Sequence, residues 1–315
     1  MHVRILPRSV STLGGILSFV NLDLSDVLKY SDEVAAAIAS KSPIVALEST
    51  IFSHGLPRPL NLELAREVQS IIRDQGATPA MIAVINGDVH IGLNEAELEA
   101  ITTRDDILRT SIRELAIAIA FGKSAATTLE SASHLAATAG IKVLSTAGLE
   151  GVYSNSEESF DDSAELTALS SLAITVVCSG VKSILDIGPT LDRLESLKID
   201  VIGYKTNKFP GMYISESNFE MKNSADTVEE IASKIKNNTS ALIVLNPATN
   251  PMNKKLHDEI LASAVNLAKK EGIAGKAVTP FVIEHFTNTS NGEALRIYVE
   301  ILKSNAALAA EIAKI

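Results

Sequence analysis

Cysteine is nearly absent. Cys178 stands alone in 315 residues, which excludes an intrachain disulfide and any zinc cluster built from several cysteines. Aromatic residues make up only 4%, too few for the stacked platform that holds single-stranded nucleic acid. Positive charge is scarce as well. With 28 Lys and Arg against 38 Asp and Glu the formal net charge is -10, the reverse of the clustered basic surface that phosphate neutralisation requires. No apolar run approaches the ~20 residues that span a bilayer, because charged residues interrupt each candidate. Internal repeats, low-complexity tracts and any Pro/Gly/Ser linker of a length that would separate domains are also missing. Nucleic-acid binding and membrane insertion are thereby set aside, and a small-molecule partner held by a local site remains.

What is present is the composition of a folded protein, 46% hydrophobic and 21% charged, with length enough to bury a substantial core. Apolar, β-branched runs recur at Ile44 to Leu47, Met81 to Ile85, Val143 to Leu144, Ile174 to Val177, Val201 to Ile202 and Leu242 to Leu245; they read as buried strands. Between them Leu62 to Asp74, Ile112 to Phe121, Ile184 to Leu197 and Thr227 to Ile235 carry apolar residues at helical spacing. The alternation predicts a three-layer α/β/α fold with a mostly parallel or mixed sheet. Two long helical patterns follow, Lys255 to Glu271 and Glu293 to Ile315, split by the turn-rich Gly272 to Thr279, and are expected to pack on the sheet. Residues 28–315 read as one domain, and 1–27 as an extension. The extension contains Arg4, Arg8 and several hydroxyls, with no acidic residue before Asp23. That is the pattern of an organellar transit peptide and points to the mitochondrion; a frayed extension on a cytoplasmic or peroxisomal protein is the other reading.

Ligands of open α/β sheets bind at the carboxyl ends of strands, so departures from apolar pattern there carry the functional signal. Glu48 ends the strand Ala46-Leu-Glu48, where partial burial would raise its pKa as a general acid requires; a local cap or salt bridge uses the same position. His54, beside Gly55, reads as a turn histidine, with no second histidine at metal-ligand spacing. After Ile174 to Val177 come Cys178-Ser-Gly-Val-Lys182 and a helical pattern, which places Lys182 near a helix N-terminus. The dipole and burial would both depress its pKa and leave a nucleophilic amine, although position alone favours a surface lysine beside a strand-to-helix turn. Cys178 reads as a buried strand residue. The acidic, hydroxyl-rich stretch from Gly151 to Glu165 suits a hydrated hard divalent ion or simply water, and lacks the spacing of an EF-hand loop. Gly122-Lys123-Ser124 lacks the earlier glycine of a phosphate-binding loop.

Taken in order, four blocks of the chain resemble the pseudouridine-5'-phosphate glycosidase family, also called indigoidine synthase A-like. They are Ala46 to Thr50 with Ser53 to Pro57, Gly76 to Ala80, Val176 to Asp186, and Gly275 to Phe281. The resemblance implies reversible cleavage of pseudouridine 5'-phosphate to uracil and ribose 5-phosphate, with Lys182 as the Schiff-base nucleophile and Glu48 as the proton donor. It further implies that Asp161 holds a manganese ion (Mn2+) through a hydrated shell and that Ser163, Ala164 and Glu165 bind substrate. Arg109, Leu129, Tyr153 and Tyr298 fall at positions expected near the substrate, and a homotrimer is implied. Three of these depart from the family pattern: Arg109 replaces a lysine, Tyr153 a histidine and Tyr298 an asparagine. Arginine keeps the charge but cannot release a proton. The departures leave room for a related C-glycosidase or C-glycosynthase acting on another base, or for a weakly catalytic homologue that binds sugar phosphate.

Overall fold

The computed structural model describes residues 27–153, 164–235, 239–273 and 278–315. In chain order the elements are β1 (Leu28–Tyr30), α1 (Asp32–Ser40), β2 (Ile44–Glu48), α2 (Thr50–His54), α3 (Leu60–Asp74), β3 (Thr78–Ile85), β4 (Asp88–Ile91), α4 (Glu95–Thr103), β5 (Leu108–Thr110), α5 (Ile112–Ala120), β6 (Ala125–Thr127) and α6 (Leu129–Thr138). There follow β7 (Val143–Ser145), β8 (Val152–Tyr153), α7 (Ala164–Leu169), β9 (Thr175–Cys178), β10 (Leu185–Asp186), α8 (Ile187–Ser196), β11 (Asp200–Tyr204), β12 (Ser224–Ala225), α9 (Val228–Ile235), β13 (Leu242–Leu245), α10 (Lys254–Glu271), α11 (Val278–Thr289) and α12 (Glu293–Ala313).

The strands of the large sheet run in the order β1-β4-β3-β2-β7-β9-β13-β11-β12. All six apolar runs named above lie in it. From β3 to β12 neighbours are parallel; β4 and β6 pair antiparallel with β3, so the sheet is mixed. Its central strands β9 and β13 are buried along their whole length because helices cover both faces. The chain moves from β2 through α3 to β3 in one direction along the sheet, and from β7 through α7 to β9 in the other. Right-handed crossovers then put α3 on one face and α7 on the opposite face. Helix α12 packs against α3 while lying along β2, β7 and β9. The change of direction between β2 and β7 opens a crevice at their carboxyl ends, where this topology places ligands.

Two expectations need correction. The helix expected from Ile184 starts at Ile187, because Asp186 is its N-cap and accepts the Gly188 N–H at 3.1 Å; Leu185 and Asp186 are taken up by pairing with β8. Lys182 therefore lies in the strand-to-strand connection, away from the helix N-terminus. After β13, the described residues form three helices instead of the two expected. Gly272, left-handed at φ 69°, ends α10, and a helix then begins at Val278, within the stretch read as turn. Helix α11 carries Pro280, which weakened its pattern in the sequence although proline is tolerated in a first turn. The N-terminal extension lies outside the described residues.

Candidate active site

Strand exits build the site. Beyond their last residues, β7 and β9 continue side by side: the Ser179 N–H donates to Ala147 O at 2.9 Å, Leu149 N–H to Gly180 O at 2.9 Å and Lys182 N–H to Leu149 O at 3.1 Å. This ladder brings residue 150 against residue 182. Gly180 makes the bend possible, with φ +99° and space so tight that an added Cβ would sit 1.8 Å from Pro210 O. From α12, Asn305 reaches under the exits. Its Nδ2 donates to Thr146 O at 2.8 Å and its Oδ1 accepts from Asn246 Nδ2 at 3.0 Å, so one buried amide ties together the exits of β7 and β13.

On this frame Glu48, at the end of β2, is 8% exposed, and the Thr146 hydroxyl donates to its Oε1 at 2.5 Å. Lys182 Nζ meets Glu150 Oε1 at 2.6 Å, with the two side chains 20% and 13% exposed. Glu165, in the first turn of α7 and 5% exposed, accepts the Glu150 N–H at 2.8 Å. Three carboxylates thus face one ammonium group.

That imbalance sets the proton inventory. Burial raises the Glu48 pKa, and the charges of Lys182 and Arg109 with the Thr146 hydrogen bond only partly offset it. Burial pushes Glu165 up to about 8 against the pull of Lys182, helped by the negative charge of Glu150. Glu150 goes the other way. Burial would raise it, but Lys182, as charge and as hydrogen-bond donor, together with Arg109, brings it below the usual carboxylate value. Burial alone would lower Lys182; Glu150, Glu165 and Glu48 more than reverse that and hold it above an ordinary lysine. The expected depression of the Lys182 pKa is therefore wrong, both because no helix starts there and because three acids converge on it. At neutral pH the cluster holds an ammonium, a carboxylate at Glu150 and protonated Glu165.

Tyr298 of α12 is 6% exposed, and its hydroxyl is raised by burial and by the charge of Glu48 beside it. Arg109 of β5 is exposed, and its charge reaches Glu48, Glu150 and His54. Leu129 opens α6 with its side chain 2% exposed, so what it can offer a ligand is the N–H of a helix first turn. Ala164 is the exposed first residue of α7. Tyr153 pairs through its backbone with Leu185. Asp161 and Ser163 lie outside the described residues. His54 is the turn histidine expected, ending α2 with Nε2 3.1 Å from Ile107 O. Cys178 is fully buried and its thiol is pushed up to about 12, so it is no nucleophile.

Glu150, Thr146 and Asn305 were missed. Glu150 lies five residues beyond β7 and, unlike Glu48, does not end an apolar run. Asn305 is a polar residue on the face of α12 otherwise filled by Ile301, Leu302, Ala306 and Ala309. A buried amide in such a face is costly unless fully hydrogen-bonded. A further contact supports the lysine turn: His257 Nε2 lies 3.0 Å from Ser183 Oγ.

A family model described as indigoidine synthase A like protein matches residues 33–315. A protein of Salinispora tropica named pseudouridine-5'-phosphate glycosidase is 45% identical over 91% of this chain and 91% of its own length. The crystal structure of an indigoidine synthase A-like protein from Thermotoga maritima is 34% identical and superimposes with a TM-score of 0.80, covering 91% of this chain and 96% of that one. The prealnumycin C-glycosynthase, solved in complex with ribulose 5-phosphate, is 29% identical with a TM-score of 0.85 over 91% and 96% of the two chains. On its sequence and on its fold, the chain belongs to the indigoidine synthase A-like family.

Proposed function

We propose that this chain is an enzyme that reversibly cleaves the C-glycosidic bond of pseudouridine 5'-phosphate to uracil and ribose 5-phosphate, through an imine between Lys182 and C1' of the opened sugar. The observation that carries the reading is the buried cluster at the switch point, which sets the Lys182 amine against the Glu150 carboxylate with Glu48 and Glu165, both raised by burial, at the same exits. A carbon leaving group cannot be released by protonating a heteroatom at the broken bond. With Lys182 joined to C1', its nitrogen lone pair closes the C=N bond as the C–C pair withdraws into the uracil ring, which takes a proton at carbon. Glu48, whose pKa burial raises, gives a proton to the ring oxygen as the sugar opens, regains one from the Lys182 nitrogen once that has added to C1', and passes it to the uracil carbon. The phosphate is assigned to Arg109 and to the N–H groups that open α6 at Leu129, a cation and a helix N-terminus being the natural partners of an oxyanion.

The manganese ion is implied by the resemblance. Among the described residues no group of three or more His, Cys, Asp or Glu is arranged to hold a metal ion, and Asp161 lies outside them. The described residues do not by themselves form such a site, and no step is routed through the ion. A homotrimer is likewise proposed on the resemblance alone.

The structural likeness to a C-glycosynthase, with Arg109, Tyr153 and Tyr298 in place of the family residues, favours a second reading in which the same Lys182 chemistry joins ribose 5-phosphate to another acceptor. One experiment separates the two. The protein is incubated with Mn2+ and either pseudouridine 5'-phosphate or ribose 5-phosphate, uracil is quantified, and borohydride is added before peptide mapping. Uracil release with a reduced pentose phosphate on Lys182, both lost in Lys182→Ala, is the expected result. An adduct from ribose 5-phosphate without uracil release selects the second reading, and no adduct under either condition overturns both.

A further inference from the structure

An imine-forming lysine must lose a proton before it attacks, yet Lys182 sits in a half-buried ion pair with Glu150 that favours its ammonium form. The resting state is thus the unreactive one, and a proton acceptor has to be at hand. Candidate groups facing the amine come from every exit around it: Glu48 from β2, Glu150 after β7 and Glu165 from α7, with Arg109 of β5 as a more distant cation and Tyr298 of α12 beside Glu48. Of these, Glu150 meets the reacting atom directly in an ion pair, its Oε1 at 2.6 Å from Nζ. Its position is fixed at both ends. The Glu150 N–H is held by Glu165 at 2.8 Å, and the preceding residue is held by the exit ladder at Leu149.

We infer that Glu150 is a catalytic residue, the base that takes the proton from Lys182 Nζ to free the amine and the acid that returns it when water leaves. The inference rests on the Lys182 imine proposed above and adds the group that makes it attainable. The steps balance. An Nζ proton moves to Glu150 Oε1, leaving a neutral amine and a carboxylic acid. The amine lone pair forms the C–N bond with C1' of the open aldehyde while the C=O π pair moves to oxygen, and one N–H proton shifts to that oxygen to give a carbinolamine. The hydroxyl then takes the proton from Glu150 and departs as water as nitrogen's lone pair closes the C=N bond. The outcome is a protonated imine facing a carboxylate, so the charge pair present at the start is restored. Glu48 and Glu165 are less suited to the task because burial favours the protonated form of each, whereas Glu150 already holds the amine in an ion pair.

A purely electrostatic role for Glu150 predicts the opposite result on mutation, which makes the inference decidable. Removing a carboxylate lowers the Lys182 pKa and enlarges the neutral fraction, so if Glu150 only stores charge, Glu150→Gln traps ribose 5-phosphate faster at neutral pH. If Glu150 is the proton carrier, trapping slows despite that gain. Wild type, Glu150→Gln and Glu150→Asp are incubated with ribose 5-phosphate and Mn2+ from about pH 6 to about pH 9, quenched with borohydride and read by intact mass, with circular dichroism as the check on folding. The expected result is a trapping rate for Glu150→Gln reduced about 10²-fold at neutral pH, and partial recovery in Glu150→Asp, which keeps an acid in reach. A Glu150→Gln rate equal to or above wild type overturns the inference, as does a Glu150→Asp rate no better than that of Gln. If Gln does not fold, the Asp variant decides alone: an unchanged rate and pH profile would reject the role, and a reduced rate with a wild-type fold would support it. Absence of any wild-type adduct sinks the imine reading itself, and Glu150's role with it.

Discussion

Two clusters of charge, one at the surface and one at the switch point, use the same residue types to opposite effect. Between α1, α3 and α4 a surface pocket is lined by Glu33, Arg66, Arg73 and Glu95 among others. There each arginine has its own carboxylate: Arg73 grips Glu33 through two bonds of 2.8 Å, and Arg66 Nε meets Glu95 at 2.8 Å. Those side chains are 42% to 63% exposed, so solvent screens them and each pair is worth about 0–1 kcal/mol. At the switch point three acidic side chains share one lysine and water is largely excluded. Matched charges in solvent stay charged and do little; unmatched charges out of solvent are forced to redistribute protons, and that redistribution is the raw material of acid–base chemistry.

The contrast can be tested from the interior outward. Glu48→Gln removes a proton donor without opening a cavity, and uracil release from pseudouridine 5'-phosphate should fall about 10²- to 10⁴-fold while ribose 5-phosphate is still captured on Lys182. Loss of capture as well would place Glu48 at the amine and not at the leaving group. Glu165→Gln tests the cost of the imbalance. The folded-state pKa of Glu165, about 8, lies above its ordinary value of 4.5, so between these two values the folded state binds more protons than the unfolded one. Its contribution to stability is then full below the lower value and is lost as pH rises through the upper one. Glu165→Gln should therefore melt at least about 2 °C above wild type at pH 8, with the gap closing towards pH 4.5; a gap that widens on acidification would contradict the assignment. Smallest of all, Arg73→Ala should leave uracil release unchanged and shift the melting temperature by no more than about 2 °C. A larger shift would mean that the surface pairs are coupled to the core.

How far the sequence reached is best seen residue by residue. Glu48 and Lys182 were visible as polar exceptions where apolar strands end, and the six strands that carry the frame were visible as runs of buried aliphatics. Short strands such as β5 and β6, three residues each, are too brief to show a period. The state of Lys182 was misread for a different reason. Its electrostatic surroundings are a sum over Glu48, Glu150 and Glu165, which the chain brings from three distant segments, whereas the local pattern suggested only a helix dipole. Glu150 was overlooked because its role exists only in the register between the exits of β7 and β9, set by Gly180 and the Leu149 ladder.

Beneath the site lies Cys178. It is the last residue of β9, it has no exposed surface, and no second thiol exists in the sequence to compete with it. Alkylating reagents therefore cannot reach this sulfur, four residues before Lys182, while the sheet is closed. Modification at that sulfur can proceed only through opening of the central strands, so the speed of labelling is a clock for that opening, built into the strand that delivers Lys182.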